Sequence, residues 1–84
     1  MTKNVYAIRD ILSGFLGPVI DDNDQKAMRN FAYAVNNSES MMYFRPKDYQ
    51  LFFLGTFDID SAKFDLRPVP ELVCEGQDMV ESKE

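Results

Sequence analysis

The sequence predicts an α+β domain in which one helix packs on an antiparallel sheet of about four strands, in the order ββαββ. Three observations support this prediction. Segments rich in β-forming residues open the chain and recur in its second half, a long segment between them has apolar residues at helical spacing, and 84 residues allow one small domain. We expect this domain to span residues 1–73, followed by an acidic, flexible tail at residues 74–84.

The first two strands are predicted at residues 4–12 and 15–20, where NVYAIRDIL is followed by FLGPVI. Ser13 and Gly14 lie between the two segments, which favours a hairpin turn. Pro18 has no amide hydrogen for a ladder, so the second strand is expected at a sheet edge or with a bulge.

The helix is predicted over residues 21–37. Asp22 is the expected N-cap, with Gln25 completing a capping box, and Asn36 and Asn37 are expected to end the helix. Its buried face is predicted to contain Ala27, Phe31, Ala34 and Val35.

Residues 38–48 are predicted to form a loop, and strands are predicted at residues 49–58 and 63–69. Pro68 and Pro70 place the last strand at an edge, and Phe64 and Leu66 of this strand should face the core. Alternation along the preceding strand places these residues on one apolar core face: Leu51, Phe53, Gly55, Phe57 and Ile59.

Phe52 and Leu54 then lie on the face of the sheet that should meet water. Because so small a domain is marginal alone, we expect a homodimer in which a second subunit covers Phe52 and Leu54. Base stacking on these two residues is the alternative.

The residue inventory argues against catalysis and against a cofactor. The chain has one cysteine and no histidine, which excludes an intrachain disulfide and a histidine-rich or cysteine-rich metal site. Cys74 lies beside acidic residues that raise the pKa of a thiol. Asp21, Asp22 and Asp24 lack the glycine and glutamate that complete a calcium loop, so helix capping is the preferred interpretation. We therefore predict a protein that is not an enzyme and binds no metal.

The formal net charge of −5 does not match the basic surface of a strong nucleic-acid binder. No apolar run approaches the roughly 18 residues of a membrane helix, and the amino end carries charge too early for a signal peptide. We expect an intracellular protein without a membrane partner.

The segment MMYFRPKDY, residues 41–49, is the best candidate for contact with nucleic acid. Its aromatic rings suit stacking on bases, and its basic residues suit phosphates. The alternative is a loop whose aromatic residues cover the sheet edge. Further positive charge comes from the helix and the last strand, so the candidate contacts are Arg29, Tyr43, Phe44, Arg45, Lys47 and Arg67.

Three segments carry a family resemblance: NVYAIRD, GFLGPVIDDNDQKAMRNFAYAVNN and DYQLFFLGTFDIDSAKFD. Together, over residues 4–66, they resemble the small non-structural protein of gokushovirus-type microviruses, which are phages with circular single-stranded DNA. The matching positions are Val5, Tyr6, Ala7, Ile8, Asp10, Ala27, Arg29, Asn30, Phe31, Tyr49, Leu51, Leu54, Gly55, Phe57 and Asp58.

This resemblance implies an accessory protein in the cytoplasm of a host bacterium that binds single-stranded viral DNA during genome replication or packaging. A second hypothesis is a protein-interaction adaptor that recruits or inhibits a host or viral replication protein. The net charge and the acidic tail favour this second hypothesis.

Overall fold

The computed structural model describes residues 1–81 and has one main helix on an antiparallel sheet. The predicted α+β class is therefore confirmed. The strands are β1 (Thr2–Asp10), β2 (Gly14–Phe15), β3 (Val19–Asp21), β4 (Tyr49–Asp58) and β5 (Phe64–Glu75). The helices are α1 (Asp24–Asn36) and α2 (Met41–Phe44), with 3₁₀ helices at Pro46–Asp48 and Gly76–Met79.

The sheet is built around β1, which pairs with β4 on one side and with both β2 and β3 on the other. β5 lies beyond β4 and forms the opposite edge. The predicted second strand is split into β2 and β3, and Pro18 lies in the gap between them, because a residue without an amide hydrogen interrupts the ladder. The prolines of the sequence thus predicted both edges correctly.

The N-cap of α1 is Asn23 and not the predicted Asp22. The Asn23 side-chain oxygen accepts a hydrogen bond of 2.9 Å from the backbone amide of Lys26. Asp22 instead forms ion pairs of 2.9 Å with Lys3 and 2.6 Å with Lys26. Asn and Asp are equally good caps, so local preference could not choose between neighbouring candidates.

The helix buries Ala27, Phe31 and Val35, as predicted, whereas Ala34 is only half-buried. These side chains form a core cluster with residues of the sheet, namely Tyr6, Tyr49 and Leu51. The Tyr6 hydroxyl donates a hydrogen bond of 2.5 Å to Asp24. Burial, followed by this bond to a carboxylate, raises the pKa of Tyr6 to about 12.

Regular structure continues past the predicted boundary at residue 73, because β5 extends to Glu75 and a 3₁₀ helix follows it. Val73, Cys74 and Met79 pack against the core cluster, so their apolar side chains hold this segment on the domain. The Asn36 side chain donates a 2.9 Å hydrogen bond to the carbonyl of Met79. Residues 82–84 of the predicted tail lie outside the described part of the chain.

A bulge in β4 changes which side chains share a face. Tyr6 pairs with Phe53 and Val5 pairs with Gly55, so Leu54 is an extra residue in β4. Beyond the bulge, Gly55 and Phe57 lie on the face opposite the helix.

The predicted single core face was therefore only partly right. Leu51 and Phe53 do pack in or against the core cluster, as predicted. Gly55 and Phe57 belong to the opposite face, because the bulge resets the alternation. Ile59 lies beyond the end of β4 and is exposed.

β5 carries a larger bulge opposite the same point of β4. Glu71 pairs with Phe53 and Leu66 pairs with Gly55, which leaves residues 67–70 without ladder partners. Pro68 and Pro70 both lie in this segment, where no amide hydrogen is required.

Candidate functional site

The segment predicted as a loop at residues 38–48 folds into α2 and the 3₁₀ helix Pro46–Asp48. The Ser40 side chain caps α2 by accepting a 3.1 Å hydrogen bond from the amide of Met42. Met42 packs against the core, whereas Tyr43 and Phe44 are 45% and 71% exposed. Their rings meet edge to face, with centroids 5.3 Å apart. A very short helix therefore presents two aromatic rings to solvent.

Two cations accompany these rings. The Arg45 Nε lies 3.3 Å from a carboxylate oxygen of Asp48, which is buried. Arg45 itself is largely exposed, so its remaining donors are free to bind other groups. Lys47 is exposed and makes no ion pair with any of the described residues. We call Tyr43, Phe44, Arg45 and Lys47 the aromatic corner.

The other two predicted contacts lie apart from this corner. The guanidinium of Arg67 stacks over the ring of Phe53 at 5.2 Å and pairs with Glu71 at 2.5 Å. Phe53 is four residues along β4 from Tyr49, a separation of about 13 Å at the usual rise of a strand. Arg29 is exposed on α1, and no hydrogen bond or ion pair within residues 1–81 joins it to the corner.

Acidic side chains line the cleft that α1 forms with β5. Asp24 and Glu71 line it together with Asn4, Met28 and Phe53. Carboxylates repel the phosphates of a nucleic acid, so this cleft does not extend the aromatic corner towards Arg67. The structure thus brings Tyr43, Phe44, Arg45 and Lys47 together at the corner and leaves Arg29 and Arg67 apart from it.

Cys74 is half-buried against the core, on the helix side of β5. Burial, followed by the carboxylates of Asp78 and Glu75, raises the pKa of its thiol to about 11. The thiol is therefore protonated at neutral pH and is a weak nucleophile. Across residues 1–81, no three His, Cys, Asp or Glu side chains are placed to hold a metal ion.

A second surface lies on the side of the sheet opposite the helix. We call it the sheet face, and it is formed by Val5, Ala7, Phe15, Phe52, Phe57, Phe64, Leu66 and Leu72. Phe52 packs edge to face on Phe15 at 5.3 Å, and Phe57 packs on Phe64 at 4.8 Å. The predicted interface residues Phe52 and Leu54 are half-buried.

Sequence reasoning placed Phe64 and Leu66 in the core, but both lie on the sheet face and are 57% exposed. The bulges in β4 and β5 reverse their orientation, and no local pattern indicates such a reversal. Phe15 was also missed as a member of this surface. Its apolar character was the available signal, but its contact with Phe52 depends on the pairing of β2 with β1.

The architecture and the two surfaces define a small α+β protein with an exposed aromatic and basic corner and an apolar sheet face. Its sequence matches the family model described as Phage ORF5 protein over residues 3–79. The chain belongs to this family and is a phage protein. The comparisons with curated proteins and with solved structures found no match. Within residues 1–81, none of the helices is long and apolar enough to cross a membrane.

Proposed function

We propose that this phage protein binds single-stranded viral DNA through the aromatic corner, without catalysing a reaction, during genome replication or packaging. The observation that carries the proposal is the exposure of Phe44 and Tyr43 beside Arg45 and Lys47. The resemblance to gokushovirus-type microviruses supports the same ligand, since their genomes are single-stranded DNA. The host cytoplasm is where such a genome is copied.

Stacking supplies most of the affinity in this proposal. Each base stacked on an aromatic ring contributes about 1–3 kcal/mol. The two rings meet edge to face at 86°, so one base cannot cover both, and the corner takes two bases at neighbouring positions. Arg45 and Lys47 then meet the phosphates between or beside these bases.

Electrostatics make this binding weak. The formal net charge is −5, and a phosphate chain approaching the corner is repelled by the rest of the molecule. Two phosphate contacts to single-stranded DNA correspond to a slope of about −1.4 for the logarithm of the binding constant against the logarithm of salt concentration. Weak binding that involves only two bases and depends only moderately on salt suits a protein that must release the genome.

The test is a titration of a labelled oligothymidine, followed by fluorescence anisotropy at low and at physiological salt. Phe44→Ala should weaken binding by about 5- to 150-fold, because one stacked base is lost. Lys47→Ala should make the salt slope shallower by about 0.7. Tyr33→Ala is the matched control, because Tyr33 is an exposed aromatic residue on α1, outside the corner.

Arg45 is less suitable for a single substitution. Its removal leaves the buried carboxylate of Asp48 without its ion pair and risks the fold of the corner. A wild-type protein that fails to bind the oligonucleotide even at low salt would contradict the DNA proposal.

The second candidate function is that of an adaptor that recruits or inhibits a replication protein of the host or the phage. The specific observation in its favour is the exposure of Met41 and Phe44 next to each other in space, since both line one apolar recess beside Tyr49. Methionine and aromatic side chains are common in adaptable protein interfaces. Under this hypothesis, Phe44→Ala abolishes capture of the replication protein, and the wild-type protein does not bind the oligonucleotide.

A further inference from the structure

The sheet face is uncovered among the described residues, although its centre is apolar. Side chains from α1, α2 and the last 3₁₀ helix all pack on the opposite side, around Tyr6. Val5 and Ala7 are nevertheless only 2% exposed, because the larger side chains of the neighbouring strands close over them. The small residues Val5 and Ala7 therefore lie beneath large apolar side chains of the strands on either side.

The exposed area of this face is large for a monomer. Phe15, Phe64, Leu66 and Leu72 each leave about half of their surface in water. With the half-buried Phe52 and Phe57, the apolar patch amounts to roughly 500 Å², if an aromatic side chain is taken as about 200 Å². This is at the upper end of what monomers expose. It is also more than half of the roughly 800 Å² that each partner contributes to a standard interface.

The edges of the sheet are poor sites for association. Pro68 and Pro70 lie in the bulge of β5, and Pro18 interrupts the edge formed by β2 and β3. Proline at an edge removes the amide hydrogens that a strand from another chain would need. These prolines favour a partner that packs on the face of the sheet over one that extends its edges.

One end of the sheet face carries a row of polar side chains. Arg9 on β1 is opposite Gln50 on β4, and Gln50 is opposite Glu75 on β5. The amide of Gln50 donates to both carboxylate oxygens of Glu75, at 3.1 and 3.2 Å, and so holds that carboxylate in place. The row thus has a cation at one side, an anion at the other and a neutral residue between them.

We propose that a second copy of this chain packs on the sheet face, with the two-fold axis running along β4. This axis places Arg9 of one copy opposite Glu75 of the other, and the symmetry forms that ion pair twice. It also places β1 of one copy over β5 of the other. Leu66 and Leu72 of one copy then pack against the larger side chains that cover Val5 and Ala7 of the other.

In one of the two usual forms of face-to-face packing, the strands of the two sheets are nearly aligned, and such an axis produces this alignment. The same surface of a second copy supplies an apolar centre. It also places an anion opposite the cation of the polar row and a cation opposite its anion. Phosphate groups would find an apolar centre and the carboxylate of Glu75, so the face does not suit DNA. This proposal does not rest on DNA binding at the aromatic corner. It keeps Phe52 of the predicted interface and adds the other residues of the sheet face, whereas Leu54 is the extra residue of the bulge in β4.

The first test is the mass of the protein in solution without nucleic acid, measured by sedimentation over a range of concentrations. We expect a dimer of twice the 9.7 kDa chain mass. Leu66→Glu should raise the dissociation constant by roughly 100-fold or more, because the interface would then bury an unpaired carboxylate in each copy. Tyr33→Glu is the matched control on the helix side and should leave the constant unchanged. Circular dichroism of both variants checks that the domain is folded.

The second test is a charge exchange at the polar row. Arg9→Glu should raise the dissociation constant by about tenfold or more, since two ion pairs become two repulsions. Adding Glu75→Arg to this variant should restore the wild-type constant within a few-fold, because the pairs are re-formed with reversed polarity.

A protein that is monomeric at a concentration of about 100 μM, where even a weak interface is populated, would overturn the proposal. A dimer that tolerates Leu66→Glu but dissociates with Tyr33→Glu would also overturn it, because the interface would then lie on the helix side. Failure of the oligonucleotide titration has no bearing on either result, so the two proposals fail separately.

Discussion

Gly55 lies at a close approach of β4 to the backbone of β5, and replacing it should be costly. Its φ of +151° is a conformation that side-chain-bearing residues rarely adopt. A Cβ atom at this position would lie 2.7 Å from the Cα of Leu66 and closer still to the carbonyl oxygen of Asp65. Both are backbone atoms, so no rotation of a side chain can relieve the clash.

The magnitude follows from two separable costs. An unfavourable φ costs about 1–3 kcal/mol, and overpacking adds about 1–3 kcal/mol. Gly55→Ala should therefore lower the free energy of unfolding by about 2–6 kcal/mol, a large part of the total stability of a domain of this size.

Two other glycines separate these costs. Gly14 has a φ of +106°, but a Cβ atom added there would have no neighbour within 4 Å, so Gly14→Ala should lose only the conformational part. Gly17 has neither feature, and Gly17→Ala should leave the stability unchanged or raise it by about 0.4–1 kcal/mol.

The assay is urea unfolding followed by far-ultraviolet circular dichroism, because the chain contains no tryptophan. All proteins are compared at one concentration, since dimerisation would make the apparent stability depend on it. We expect Gly17→Ala to be the most stable variant and Gly55→Ala the least stable. A Gly55→Ala protein no less stable than Gly14→Ala would refute the close approach of β4 and β5 at this bulge.

Three further predictions concern the helix cap and the buried titratable groups. Asn23→Ala should cost about 1 kcal/mol in urea unfolding and more than Asp22→Ala, because Asn23 is the N-cap; the reverse order would restore Asp22 as the cap. At pH 8, a thiol reagent should label native Cys74 about 100-fold more slowly than the urea-unfolded chain, since the thiol pKa rises from 9.0 to about 11; equal rates would contradict its burial. The folded pKa values of Cys74 and Tyr6, about 11 and about 12, exceed the ordinary ones, so both groups lose their protons more easily in the unfolded chain. The free energy of unfolding should therefore be highest below pH 9 and fall as the pH rises towards 12. Cys74→Ala should make this fall less steep between pH 9 and pH 11.

The candidate site was predictable where its residues are close together in the sequence. Tyr43, Phe44, Arg45 and Lys47 lie within five consecutive positions, and a short helix and turn keep them together in space. Arg67 was not predictable in the same way. The bulge of β5 brings its guanidinium onto Phe53 and Glu71, which are contacts that only the pairing with β4 creates.

The sequence by itself determined the types of the main elements and their order. Period-two and helical apolar patterns are local, so they indicated β4 at its observed bounds and the buried Ala27, Phe31 and Val35 of α1. Proline is equally local in its effect, because the missing amide hydrogen excludes a central strand, and both edges followed from it.

Only the tertiary structure decided which face of the sheet the large apolar residues of β4 and β5 occupy. One extra residue, Leu54, reverses the alternation and moves Phe57 with its partner Phe64 from the core to the open face. Such a bulge arises from the register between strands that are distant in the sequence, and no single segment carries the information. The same long-range packing holds Cys74 and Met79 on the domain, because their apolar side chains complete the core under α1.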